Sequence, residues 1–127
     1  MIIQIDIDGT IDAAPAFFSW LTAAARRDGH SIHIVSSRTT SPTNLKATAA
    51  ELEDTGIVYD KLVLSPDVDD LDPARLPPGL PPAHRIYVYK LIVAEDEGAD
   101  LLFDDCSITA DLFRKHLPRV RVFKPLR

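Results

Sequence analysis

A single cysteine, Cys106, is the whole thiol content of this 127-residue chain. An internal disulfide is therefore excluded, and the composition fits a reducing compartment. No apolar run reaches the roughly 18 residues that a membrane span needs, and no basic segment leads into a long apolar stretch. A basic excess is missing too, since 19 acidic residues against 14 lysines and arginines leave a formal net charge of −5. That balance counts against a generic nucleic-acid binder, while local basic patches stay open. His30, His33, His84 and His116 are scattered without metal-ligand spacing, which counts against a zinc site. There is no internal repeat, and the one biased tract is a proline-rich stretch. What remains, 46% hydrophobic and 26% charged, is the composition of one globular domain over residues 1–127 with room for a proper core.

The first dozen residues, MIIQIDIDGTID, organise the rest. Ile2, Ile3, Ile5 and Ile7 form a β-branched run that ends among Asp6 and Asp8, and Gly9-Thr10 breaks it. A near-continuous apolar run suits a strand buried on both faces of a parallel sheet. It starts at Ile2, which leaves no room for a targeting extension, and a cytoplasmic domain is expected.

A helix is predicted over Ala13 to Arg27, with Phe17, Phe18, Leu21, Ala24 and Ala25 on one face and Asp28-Gly29 at its stop. Trp20 is expected in the core beside Phe17 and Phe18, with the mouth of a site as its alternative place. Ser31 to Ser36 reads as the second strand, followed by a polar loop from Ser37 to Thr40. Ser41-Pro42 is a helix start, with Leu45, Ala49 and Leu52 pointing inward and a stop near Gly56. Ile57 to Ser65 gives a third strand. From Ser65 to Ala83 the periodicity disappears among six prolines and four aspartates, and long loops of this kind are often functional. The aspartates lack the glycine and the closing glutamate of a calcium loop, so a solvated loop is expected. A helix resumes at His84 with Ile86, Tyr89 and Val93 on one stripe, and ends by Gly98. Asp100 to Asp104 is a fourth strand, Ser107 caps a helix to Lys115 with Ile108, Leu112 and Phe113 inward, and Val120 to Phe123 is a fifth strand closed by Pro125. This alternation predicts a three-layer α/β/α sandwich, Rossmann-like, with a mainly parallel five-stranded sheet.

In such a fold the carboxyl ends of the strands share one edge, where ligands bind. That edge collects Asp6 and Asp8, then Ser36 to Arg38, then Ser65, then Asp104 and Asp105. Crowded carboxylates repel unless a cation sits between them, and a hard oxygen-seeking ion such as Mg²⁺ is the usual solution. Lys90, set within an apolar helical stretch, adds a cation, so carboxylates, hydroxyl, lysine and arginine together suit a metal and a phosphoryl group.

The ordered set of DIDGT at Asp6 to Thr10, IVSSR ending the second strand, Lys90, and LLFDD at Leu101 to Asp105 resembles the haloacid dehalogenase (HAD) superfamily. The resemblance covers nearly the whole chain and implies a Mg²⁺-dependent phosphomonoesterase. By it, Asp6 would be the nucleophile that becomes an aspartyl-phosphate. Asp8 would protonate the leaving alcohol and then activate water. Mg²⁺ would be held by the Asp6 carboxylate, the Asp8 backbone carbonyl and the Asp104/Asp105 pair, with Asp104 preferred as the direct ligand. Ser36 would donate to the phosphoryl group, and Lys90 would offset the charge of aspartate and phosphate. Gly9, Thr10, Ser37 and Arg38 are the candidates for holding substrate, Arg38 being balanced between a phosphate contact and a solvated loop charge, and Ser37 tending to a loop-stabilising role. Family members that cleave carbon–halogen bonds lack an aspartate where this chain has Asp8, which favours a phosphatase.

Larger members carry a cap domain after the first or third strand. Here the first insertion point is empty, and the second holds only the roughly twenty residues of the proline-rich loop 65–83. A capless, open site is implied, one that takes a bulky substrate end or is closed by a homo-oligomer partner. IVSSR followed by VYDKL is similar to small phosphatases of capsular polysaccharide biosynthesis. The interval from Lys90 to Asp105 and the SSR loop resemble the phosphatase half of polynucleotide kinase-phosphatases, although Cys106 stands where those often have arginine. The expected substrate is a small-molecule or polymer-end phosphomonoester (sugar phosphate, nucleotide or nucleic-acid end, the last not favoured), with no membrane partner. Cys106 beside two carboxylates is a poor nucleophile and is expected to pack. The competing classes are a phospho-aspartate signalling domain, opposed by Ser65 where such a domain carries its aspartate, and a non-catalytic phosphate-binding module.

Overall fold

The isoleucine-rich opening becomes the middle strand of a five-stranded sheet. The structure, a computed structural model, describes residues 1–125. Its strands are β1 (Ile2–Ile5), β2 (Ser31–Thr39), β3 (Lys61–Ser65), β4 (Leu101–Phe103) and β5 (Arg121–Phe123), in the spatial order β3-β2-β1-β4-β5. Every pairing is parallel, with Ile5 of β1 opposite both Ile34 of β2 and Phe103 of β4. The helices are α1 (Pro15–Arg27), α2 (Pro42–Asp54), α3 (Arg85–Glu97) and α4 (Ser107–His116).

Alternate residues of the strands feed two cores, as the two-residue period of a strand requires. Ile3, Ile5, Ile32 and Ile34 pack with Phe18, Ala25 and Leu52, which come from α1 and α2. Leu102 packs with Leu91, Ala94 and Phe113 from α3 and α4, and Ile2 lies against this second cluster. Burial of Ile3, Ile5, Ile32 and Ile34 stabilises the sheet by roughly 1.5–3 kcal/mol each. The chain winds from β1 through β2 to β3 on one side, then crosses to β4 and β5 on the other. The order therefore reverses between β1 and β4, the place where ligands bind in open α/β sheets.

Several local expectations are corrected. The third strand starts at Lys61, not Ile57, because the segment before it is closed by a side chain: the Asp60 carboxylate accepts from the Ile32 N–H at 2.7 Å. The second strand runs on to Thr39 through a register shift between Ser36 and Thr39, where a polar loop was expected. Leu45 and Ile86 are exposed, and the inner faces are instead Thr48 and Leu52 on α2 and Val88 to Leu91 with Ala94 on α3. Trp20 is 62% exposed and Phe17 47%, so neither is core. Ser41 caps α2 as expected, its Oγ accepting from the Asn44 N–H at 3.0 Å. Ser107 is the first residue of α4 rather than its cap; the Cys106 N–H donates to Asp104 Oδ1 at 2.9 Å. The proline-rich stretch contains single 3-10 turns at Val68–Asp70, Pro73–Arg75 and Pro82–His84, and Asp67 and Asp72 cap the first two. No helix among the described residues is long and apolar enough to cross a membrane.

Candidate active site

Where β1 ends, the backbone makes a single wide turn through Ile7–Ile11 rather than continuing as strand. Gly9 sits in it at φ 81, the left-handed region that side chains avoid, and its N–H donates to Asp12 Oδ1 at 2.6 Å. This turn brings Thr10 back beside the strand end, so its hydroxyl lies 3.3 Å from Asp6 Oδ2 and 3.4 Å from Asp105 Oδ1. The Asp105 N–H in turn donates to Thr10 Oγ1 at 3.1 Å, which ties the end of β4 to the turn after β1.

Behind them stands Lys90. Its Nζ donates to Asp6 Oδ1 at 2.8 Å and to Asp104 Oδ2 at 2.7 Å. All three side chains are nearly inaccessible, at 4% for Asp6, 3% for Lys90 and 0% for Asp104. Lys90 is fixed from α3, whose carbonyl at that residue accepts from Gln4 Nε2 of β1 at 3.2 Å. Burial drives the Asp6 carboxyl up to about 6 against the pull of Lys90, and the charge of Asp104 adds to the rise. Burial would depress the Lys90 ammonium, but Asp104 and Asp6 outweigh it and hold it above its usual value. Burial, reinforced by the same two carboxylates, raises the adjoining Tyr89 hydroxyl as well.

Asp6, Asp104 and Asp105 each offer an oxygen within 4.8 Å of the others. Three carboxylates against one ammonium leave two negative charges in excess, the charge of one divalent cation. Carboxylate oxygens are the donors that Mg²⁺ prefers, so the set fits that ion by both charge and chemistry.

Asp8 does something different. Arg38, from the far end of β2, forks onto its carboxylate through Nε at 3.1 Å and one terminal nitrogen at 2.9 Å. The same guanidinium takes Glu51 of α2 at 2.6 and 3.1 Å, and Thr48 Oγ1 at 3.3 Å. These hydrogen bonds hold both the Asp8 and Glu51 carboxyls below their ordinary values. The Asp8 side chain is thus apart from the three-carboxylate cluster; the metal role expected of Asp8 concerns its backbone carbonyl.

Ser36 is fully buried at the bulged end of β2, and its Oγ accepts from the Arg38 N–H at 3.2 Å. Ser37 is exposed and lines a separate cleft with Thr39, Thr40, Ser65 and Asp67. Sequence reasoning did not find Glu51, Thr48, Asp12 or Gln4. Glu51 and Thr48 sit mid-helix with no motif, and only the spacing of three residues, which places both on one helix face, hinted that they act together.

No protein-family model matches this chain, and no curated protein matches it. Solved structures do. A chain of the Pnkp1/Rnl/Hen1 RNA repair complex superposes with a TM-score of 0.66 at 19% identity, covering 98% of this chain and 42% of that one. A second structure of the Pnkp1/Rnl/Hen1 complex gives 0.65 at 20% identity, over 98% and 45%. An uncharacterized protein from Corynebacterium glutamicum gives 0.63 at 19% identity, over 99% and 85%. The chain thus spans less than half the length of the repair-complex chains it matches. These likenesses define the class of fold: a Rossmann-like α/β domain with an all-parallel five-stranded sheet.

Proposed function

We propose that the chain is a Mg²⁺-dependent phosphomonoesterase of the HAD type, working through Asp6. The observation that carries this reading is the buried triangle of Asp6, Lys90 and Asp104 at the switch point of the sheet, with Asp105 alongside. A purely structural ion pair has no need of a second and third carboxylate, whose burial is costly. A phosphoryl-transfer site needs such an arrangement, because catalysis there is mostly positioning and charge neutralisation. The likeness in fold to chains of an RNA repair complex supports phosphate-ester chemistry, with a nucleic-acid end among the substrate options.

In this reading an Asp6 oxygen attacks phosphorus and the bond from phosphorus to the alcohol oxygen breaks. The departing oxygen takes its proton from Asp8, leaving a phosphoryl group on Asp6. Water then attacks that phosphorus, Asp8 receives the proton, and inorganic phosphate leaves the restored Asp6 carboxylate. Mg²⁺ held by Asp6, Asp104 and Asp105 would supply positive charge against the phosphoryl oxygens. Lys90 keeps Asp6 oriented, and the Ser36 hydroxyl would donate to a phosphoryl oxygen. Arg38 positions Asp8. Because the Arg38 fork favours the ionised form of Asp8, Asp8 must loosen that fork to carry a proton.

The test is release of inorganic phosphate from p-nitrophenyl phosphate with and without Mg²⁺, using wild type and Asp6→Asn. The expected outcome is metal-dependent release that the substitution abolishes. Equal release by both proteins overturns the proposal. A binding module without turnover is the second reading, and the observation on its side is the pairing of Asp8 with Arg38. Tight phosphate binding with no hydrolysis of any ester would select it.

A further inference from the structure

Four of the five phenylalanines and the single tryptophan form one continuous aromatic chain beside the candidate active site. Trp20 lies 6.1 Å from Phe17, Phe17 is edge-on to Phe18 at 5.0 Å, and Phe18 is edge-on to Phe103 at 5.6 Å. Phe103 then stacks on Phe123 at 5.1 Å with 18° between the rings. Core aromatics make such contacts routinely, but this chain is open along one side: Trp20, Phe17 and Phe123 are 62, 47 and 47% exposed. The four phenylalanine rings line a groove of about 360 Å³, together with Thr10 and Lys124, and Trp20 flanks it beside Phe17. That volume falls within the roughly 300–1,000 Å³ of small-molecule sites.

Two features give the groove its direction. Thr10 lines it and also lies within hydrogen-bond distance of Asp6 and Asp105, so a single residue separates the groove from the carboxylates of the candidate site. At its rim, Lys124 forms no ion pair among the described residues. The separate cleft at the ends of β2 and β3 is the opposite in character. It is lined by hydroxyls of Ser37, Thr39, Thr40 and Ser65 and by the carboxylates of Asp67 and Asp70, which repel an anionic chain.

We propose, on the footing of the phosphomonoesterase reading, that the aromatic groove takes the alcohol half of the substrate and that this half carries a nucleobase. A flat ring stacks on Phe17 and Phe123, and Lys124 meets a neighbouring phosphate where the nucleotide is part of a strand. A free nucleotide and a strand end share this chemistry. Stacking a base on an aromatic side chain is worth roughly 5- to 150-fold in binding.

The experiment compares kcat/KM for thymidine 3′- and 5′-monophosphates with the matching base-free deoxyribose phosphates, whose leaving alcohols are of the same type. The expected result is a preference of about tenfold or more for one of the base-bearing esters, carried by KM. Phe17→Ala and Phe123→Ala should each remove most of that preference while leaving kcat on the base-free ester in place. Phe17→Tyr and Phe123→Trp should keep it, which separates loss of stacking from loss of folding. A 3′-phosphorylated dinucleotide compared with the mononucleotide, in wild type and Lys124→Ala, tells a strand end from a free nucleotide. Equal kcat/KM with and without the base overturns the proposal, as do Phe variants that slow both esters alike. A dimer in sedimentation that Phe123→Ala dissociates also overturns it, since the groove would then hold a second copy. Quenching of Trp20 emission by thymidine monophosphate without Mg²⁺ keeps the two readings apart. Binding without turnover would sink the enzyme and leave the groove, whereas equal turnover of all esters would sink the groove and leave the enzyme.

Discussion

Two charge networks meet at the ends of β1 and β2, built from the same kinds of group and set in different surroundings. Lys90 bridges Asp6 and Asp104 in a place nearly closed to water. Arg38 bridges Asp8 and Glu51 where both carboxylates are about half exposed, at 53 and 48% of their side chains. Arg38 makes the larger number of hydrogen bonds, yet each carboxylate it holds is solvated and gains little beyond geometry. Lys90 makes fewer, but each group it touches depends on it for compensation, because a buried charge without a partner is costly. The comparison teaches that burial, and not the count of contacts, decides which network stores free energy and which stores orientation. On the proposed function, the buried one would keep a nucleophile under electrostatic load, and the exposed one would aim a proton carrier that must be free to move.

The sharpest way to break this contrast is Lys90→Met. With Asp6 and Asp104 left buried against each other, stability should fall by roughly 3–5 kcal/mol in urea unfolding, provided Mg²⁺ is absent. A loss under about 1 kcal/mol would place Lys90 among ordinary surface pairs.

Asp6→Asn should do the reverse in the metal-free protein. Removing one of three clustered carboxylates relieves repulsion, so the melting temperature should rise at pH 7 even as turnover disappears. The sign with pH follows from the raised value. Asp6 has a folded pKa of about 6 against 3.8 in the unfolded chain, so its contribution is most favourable below 3.8 and is lost as pH rises through 6. The stability gap between variant and wild type should therefore be widest at pH 7 and close as pH falls to 4. A gap that is constant over this range would contradict the account.

Asp8→Asn should separate the networks by function. The rate should drop about 10²–10⁴-fold, the usual share of a proton carrier, while unfolding shifts little. A substitution that costs stability and spares the rate would reverse the assignment. Smallest of all is the expected effect of Arg38→Ala on stability, about 1 kcal/mol or less. Asp8 and Glu51 have depressed values, so the stability they contribute is present above the ordinary carboxylate range and is lost as pH falls through their folded values. The Arg38→Ala difference should accordingly vanish in acid, as the Asp6→Asn difference does, but it is a loss of stability where Asp6→Asn is a gain. Kinetically it should lower kcat more than it raises KM, since Arg38 acts through Asp8.

The strands were legible because their residues obey a local rule: β-branched runs that stop at polar residues. The topology then placed Asp6, Asp104 and Asp105 together without any knowledge of side-chain contacts, since all strand ends of a parallel sheet face one edge. Lys90 entered by its place in the motif order. What stayed hidden depends on pairs remote in sequence. Arg38 and Glu51 are thirteen residues apart with a bulge and a helix start between them, and nothing in the run around Glu51 marks it. The aromatic chain joins Phe18 to Phe103 across most of the chain. Its residues looked like core because adjacent phenylalanines on an apolar helix usually are. A helix turns about 100° per residue, so Phe17 and Phe18 cannot both face inward, and Phe18 is the one that does. Leu45 and Ile86 misled in the same way: each is apolar, and the inward places went to Thr48 on one helix and to Tyr89 and Lys90 on the other.

The most direct test of the central claim is chemical. The Asp8→Asn protein, in which release from the phosphorylated state should be slowed, is mixed with p-nitrophenyl phosphate and Mg²⁺, quenched in acid and digested. Mass spectrometry then locates any phosphoryl group. The account predicts an acyl-phosphate on Asp6, in the peptide that begins at Met1, and none when Asp6→Asn is added. Turnover that survives Asp6→Asn, with no adduct on the Met1 peptide, would contradict it.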